Sequence, residues 1–266
     1  MKKRGKMNAK SQITIFVIIA LILVVSIALA FVFMQPPAAK ISAEKPDTTR
    51  AYIADCLKDS FEDVEKIVIS HGGFLELTNA DSVKFSGKDV LWLCYTSKYE
   101  QVCTNKHPML RVEIEKEIIS YVKPQIEKCF LDIKSQLNDY DYKENELVIE
   151  ANILPRKVYF NITKELSYNI KDRVLTLNNF DSSLNSVLYD FVRLSTEVSN
   201  QEVRGCDCSK TCNADLYQIN KENQDFSISK NAMGGDGEEI YVIKETSTAK
   251  KFNFAVRNCV RAPITS

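Results

Sequence analysis

Residues 147–162 read LVIEANILPRKVYFNI, and their period decides the fold class. Leu147, Ile149, Ala151 and Ile153 alternate with other residues, and Val158, Phe160 and Ile162 repeat the alternation after LPRK. Successive side chains of a strand point to opposite sides, so a two-residue period lays one apolar face on a core. Antiparallel strands joined by a turn are expected, continuing as a meander through LSYNI at 166–170 and VLTL at 174–177.

On either side the period lengthens to that of a helix. Over 110–137, Ile114, Ile118, Val122, Ile126, Cys129 and Ile133 share one face, with Pro124 a kink site. Upstream, FLEL (74–77) and DVLWLCYT (89–96) read as strands separated by the turn-prone NADS and SGKD. Before them, Asp47 or Thr48 can cap a helix carrying Ile53, Cys56, Leu57, Phe61, Val64 and Val68, ended by Gly72 and Gly73. Downstream, Ser182 or Ser183 can open a helix with Val187, Leu188, Phe191, Leu194 and Val198 on one face. The tail alternates again in EIYVIKE and KFNFAVRN and should return to the sheet. The pattern is α+β, antiparallel strands packed with about three helices, over 48–266; a division into lobes 48–140 and 141–266 would fall at NDYDYKEN.

The chain has 266 residues, 45% hydrophobic and 26% charged, which is a globular composition and excludes disorder as the default state. Net charge is zero, yet Lys2, Lys3, Arg4, Lys6 and Lys10 all precede the first acid, Glu44. Between them lies ITIFVIIALILVVSIALAFVFM, residues 13–34, without charge, Gly or Pro. Its 22 residues exceed the roughly 20 needed to span a bilayer. The cation cluster keeps its own side cytoplasmic, so residues 35–266 are expected outside a cell membrane crossed once. A removable signal peptide has a shorter apolar run, so an uncleaved anchor is expected: leader 1–12, helix 13–34 in contact with membrane lipid, stalk 35–47.

KSQITIFVIIALIL resembles the N-termini of archaeal pilins and archaellins, in which a Gln-x-Ser-x-Glu pattern opens the apolar helix. Gln12 and Thr14 match in type, whereas Phe16 stands in place of the Glu. The order YIADCL, HGGFLEL, VLWLCYTSK, VEIEKEIISYVKPQIEKCF, KVYFNITKELSYNI is similar to an uncharacterised family of archaeal single-pass membrane proteins, over most of residues 12–200. That resemblance implies architecture and location, and no activity.

Eight cysteines carry the clearest chemistry. Cys56 and Cys129 sit on the apolar stripes of two helices that face one core, and are expected to bond. Cys94 and Cys103 flank a short polar connection and form a second expected pair. Cys206, Cys208, Cys212 and Cys259 remain, an even number that an oxidising compartment favours. Four thiols are also a zinc set, but C-x-C-x-x-x-C with a distant Cys259 lacks the paired C-x-x-C knuckles of zinc sites. Adjacent Cys206 and Cys208 cannot pair without strain, so Cys206 with Cys212 and Cys208 with Cys259 are expected.

No metal, cofactor or catalytic set is expected. His71 and His107 lack a nucleophile or metal partner by motif and are expected at the surface. GGDG at 234–237 lacks the Lys-Ser/Thr and following helix of a phosphate loop and reads as a hairpin loop. NDYDYKENE lacks the glycine and terminal Glu of a calcium loop. Asn161-Ile162-Thr163 is an N-glycosylation acceptor on the strand face opposite Val158. Bases and acids are interspersed without a basic patch, which excludes nucleic acid as a partner. The leading expectation is a non-enzymatic, membrane-anchored extracellular binding or structural module, with a cell-surface protein or glycan partner. The alternatives are a pilin-like subunit processed near Gln12 and a cell-surface enzyme whose site carries no motif.

Overall fold

The computed structural model describes residues 19, 21–24, 46–78, 80–136, 145–170, 173–204, 208, 214–233 and 237–261. The chain forms two compact units, Met1–Lys40 and Ile41–Ser266. In the first, Ile19 and residues 21–24 are helical and exposed; the rest of 13–34, the basic leader with Gln12, and the stalk to residue 45 lie outside the described residues. No helix among the described residues is long and apolar enough to cross a membrane. That corrects the expected transmembrane helix and the single-pass location with an external C-terminal domain. A span needs about 20 apolar helical residues, and the two helices of the described residues that are long enough, Pro46–His71 and Leu110–Gln136, carry charged residues along their length.

The second unit opens with α1 (Pro46–His71). Ile53, Leu57, Phe61, Val64 and Val68 recur at helical spacing and are all buried. The helix stops where Gly72 takes a φ of +78° and the Gly73 N–H donates to the Val68 carbonyl at 2.7 Å. A side chain at Gly72 would also stand 2.8 Å from the Asn253 carbonyl oxygen. β1 (Ser82–Phe85) and β2 (Lys88–Tyr95) follow as a tight hairpin. Its two loop residues, Ser86 and Gly87, both have positive φ, which matches the right-handed twist of the strands. SGKD is thus a hairpin turn, and FLEL is not a strand. β3 (Thr104–Asn105) and α2 (Leu110–Gln136) come next, with Pro124 inside the helix.

β4 (Val148–Leu154), β5 (Lys157–Ile170) and β6 (Arg173–Asn185) make a three-stranded antiparallel sheet. LSYNI and VLTL are the far halves of β5 and β6 rather than further strands. Because β6 runs through Ser182 and Ser183, the helix cap falls to Ser186, whose Oγ accepts the Leu188 N–H at 3.1 Å. α3 (Leu188–Arg204) follows. α4 (Leu216–Glu222) and β7 (Phe226–Ala232) precede β8 (Glu238–Glu245) and β9 (Lys251–Arg257).

The larger sheet runs β1-β2-β9-β8-β7, with β3 also on β2. β2 and β9 pair in parallel, Trp92 opposite Ala255, so this sheet is mixed where antiparallel strands were expected. Alternation reports only faces; direction is free when a long connection rather than a hairpin joins two strands. One core draws on α1, α2, α3 and both sheets and crosses residue 140, so 48–140 and 141–266 share it. Phe61 meets Phe160 edge-on at 5.5 Å, joining α1 to the smaller sheet, and Phe191 stacks on Phe252 at 5.7 Å, joining α3 to the larger.

Disulfides close three regions. Cys56–Cys129 ties α1 to α2, Cys94–Cys103 ties β2 to the segment before β3, and Cys208–Cys259 ties the segment after α3 to the end of β9. Each pairing follows the sequence reading; Cys206 and Cys212 lie outside the described residues.

Candidate binding face on the small sheet

The alternation of residues 147–162 fixes two faces. Ile149, Ala151, Ile153, Val158, Phe160 and Ile162 enter the core, which leaves Glu150, Asn152, Tyr159, Asn161 and Thr163 on the other side. β6 adds Asp181 and Ser183 to that outer face. Pairing register sets them in rows: Glu150, Asn161, Asp181 in one, and Asn152, Tyr159, Ser183 in the next. The Asn161 Nδ2 donates to Glu150 Oε2 at 3.3 Å. The Tyr159 phenol is held above its ordinary range by desolvation and by the neighbouring carboxylates of Asp181 and Glu150. It therefore remains a neutral hydroxyl throughout the physiological range.

The face presents two acceptor-only carboxylates, two carboxamides that donate and accept, two aliphatic hydroxyls and one aromatic ring. All stand on paired strands above a packed core, so their spacing is set by the ladder and not by a loop. Asn161 and Thr163 of the acceptor sequence both point outward, as the alternation implied.

The residues most suggestive of acid–base chemistry lie elsewhere, and they are tied into the fold. A ring of polar contacts closes the seam between the two sheets. The Ser186 N–H donates to the Arg156 carbonyl at 3.1 Å, Ser186 Oγ donates to Glu65 at 2.6 Å, and Lys250 pairs with Glu65 at 2.6 Å. The Glu245 N–H donates to the Lys250 carbonyl at 3.0 Å, and Arg156 pairs with Glu245 at 3.7 Å to complete the circuit. Glu65 and Glu245 are buried, and clefts of about 490 and 420 Å³ open on either side of Lys250. Ser186 Oγ is engaged both as helix cap and as donor to Glu65, which leaves its lone pairs little room for nucleophilic work.

A second buried carboxylate, Glu202 on α3, accepts from Tyr241 Oη at 2.5 Å, from the Ala214 N–H at 2.9 Å and from Asn258 Nδ2 at 3.2 Å. The Tyr241 phenol is pushed well above its ordinary range by burial and then by Glu202 and Glu239. Asn258 Oδ1 in turn accepts the Cys103 N–H at 2.8 Å, so this network touches the segments of two disulfides.

His107 Nδ1 lies 2.6 Å from Glu113 Oε2, with its ring 5.0 Å from that of Phe74, and both members of the pair are half-buried. His71 Nδ1 is 3.2 Å from the Leu75 carbonyl. Neither histidine approaches the other site residues by any contact named above. GGDG up to Asp236, and NDYDYKEN up to Glu144, lie outside the described residues. The described residues contain no cluster with metal-ligand geometry.

Sequence reasoning missed Glu65, Glu202, Glu245 and Lys250. The signal available for Glu202 was a charged residue four positions after Val198 on the apolar stripe of its helix. The chain matches no protein-family model, no curated protein and no solved structure.

Proposed function

We propose that the protein is a disulfide-closed, non-catalytic binding module that takes a glycan on the outer face of β4, β5 and β6. The row Glu150, Asn161, Asp181 beside the Tyr159 ring carries this reading. Sugar rings offer pairs of hydroxyls that each donate and accept, together with a C–H face. Carboxylates and carboxamides answer the hydroxyls, and an aromatic ring covers the C–H face with little entropy to lose. The core beneath the sheet keeps the row in register, so ligand binding requires no ordering of the strands.

The test is a titration of neutral oligosaccharides against the purified protein, with the variants Tyr159→Ala and Asp181→Ala. At least one sugar should bind at millimolar concentration or below, with roughly tenfold to hundredfold loss in Asp181→Ala, the scale of a hydrogen bond to a charged group. Absence of binding across the panel, or binding that both variants retain, sinks the proposal. Asn161-Ile162-Thr163 supports a second reading, in which the face carries a glycan instead of binding one. Intact mass of protein from its native source separates the two, because a glycan attached to Asn161 would cover the row.

A further inference from the structure

Resting on the glycan reading of the small sheet, we infer that its ligand is an amino sugar with a free ammonium group, held between Glu150 and Asp181 beside the Tyr159 ring. The pairing register puts the two carboxylates in one row, on β4 and β6, with Asn161 of β5 between them. Neighbouring strands are about 4.8 Å apart, so the Cα atoms of the two acids stand roughly 10 Å from each other. Both acids are exposed, and a sugar ring settling on Asn161 has a carboxylate on either side.

The charges of the whole face decide the class of sugar. On its paired positions, from Val148 to Leu154 along β4 and across to β6, the charged side chains are Glu150, Asp181 and Lys157. Lys157 stands two rows from the acids, about 13 Å along the strand, which exceeds the screening length at physiological salt. Arg50 reaches the edge of β6, but its guanidinium is engaged with the Asn179 carbonyl and lies over the ring of Phe180, a core residue. Neither acid has an ion-pair partner among the described residues; Glu150 accepts the Asn161 carboxamide at 3.3 Å, and Asp181 lies beside the Tyr159 hydroxyl. Their field reaches the ring: after desolvation, Asp181 and then Glu150 hold the Tyr159 phenol above its ordinary range.

A sugar ammonium brings three donors and a full charge, which suits two carboxylates that only accept and the electron-rich face of an aromatic ring. N-acetylation leaves a single N–H and no charge. A uronate brings a charge of the same sign as both acids and is repelled by them.

Calorimetric titration of the intact chain with trimers of glucosamine, N-acetylglucosamine and galacturonate tests the inference at about pH 6, where the sugar amine carries its proton. The glucosamine trimer should bind about fivefold to tenfold more tightly than its acetylated counterpart, with the galacturonate trimer weakest. Raising the salt to about 1 M should bring the first two together. Asp181→Asn and Glu150→Gln keep an acceptor and lose the charge, so each should reduce the preference by about twofold or more at unchanged melting temperature. Equal binding of the amine and acetyl forms, or a preference that both variants retain, overturns the inference while the glycan reading of the face stands. Tri-lysine binding as tightly as the glucosamine trimer also overturns it, since charge alone would then be read. If no trimer binds, the inference falls together with the reading it rests on.

Discussion

Glu202 has no solvent access and three hydrogen-bond donors around it, so its loss should cost more than that of any surface acid. Glu202→Ala strands an Asn258 amide proton and the Ala214 N–H in the interior and leaves the Tyr241 hydroxyl only its 3.3 Å contact with Glu239 Oε2. A cost of about 3–5 kcal/mol is expected in denaturant unfolding, as when one partner is removed from a buried charged network. Glu202→Gln, which keeps an acceptor, should cost less. Tyr241 supplies a pH dependence with a definite sign. Its folded-state pKa is raised, first by burial, so the unfolded chain deprotonates near pH 10 while the native phenol keeps its proton. The unfolded state then binds fewer protons, and stability must fall as pH rises above about 10. Unfolding free energies between pH 8 and pH 11 in wild type and Tyr241→Phe should show the decline flattened in the variant. Parallel curves would remove Tyr241 as its source.

At the level of elements, the strand edge of the larger sheet is closed by a side chain. β7 is the outermost strand, and Asn220 on α4 offers its carboxamide to both main-chain groups of Ile228: Oδ1 accepts the N–H at 2.7 Å and Nδ2 donates to the carbonyl at 3.0 Å. A carboxamide thus imitates the next strand, and it denies that part of the edge to another chain. Asn220→Ala should destabilise by about 1–3 kcal/mol, since two main-chain groups lose their partners. It should also increase self-association in sedimentation experiments; a variant that stays as stable and as monodisperse as wild type would show that the edge is guarded otherwise. The smaller sheet has an analogous contact, where Arg50 of α1 donates to the Asn179 carbonyl at 2.5 Å on β6.

For the whole molecule, the disulfides act on the unfolded chain as much as on the folded one. Cys56–Cys129 closes a loop of 73 residues, and removing it as Cys56→Ser with Cys129→Ser should cost about 4 kcal/mol in the chain-entropy account. Cys94–Cys103, with a separation of 9, should cost about 2.5 kcal/mol. The order of the two losses, read from melting temperatures, is the measurable point; a larger loss for the shorter loop would place the effect in native packing instead. Both bridges were legible in sequence, because cysteines on apolar stripes, or beside a short connection, have few other neighbours.

Sequence alone determined the properties that depend on period and on local chemistry. Alternation over residues 147–162 gave two strands and sorted core from surface, placing Asn161 outward. Helical spacing gave α1 to α3, and the glycine pair gave the end of α1. Tertiary structure alone decided whatever depends on contacts between distant segments. Parallel pairing of β2 with β9 is one case, since a period carries no direction. The cap at Ser186 instead of Ser182 or Ser183 is another, since β6 is prolonged by its register with β5. The enclosure of Glu65, Glu202 and Glu245 is the third, because a carboxylate enters a core only where donors from remote elements converge on it, and that convergence has no one-dimensional signature. For the apolar run at 13–34, composition permits a span, and no helix of the described residues is long and apolar enough to make one.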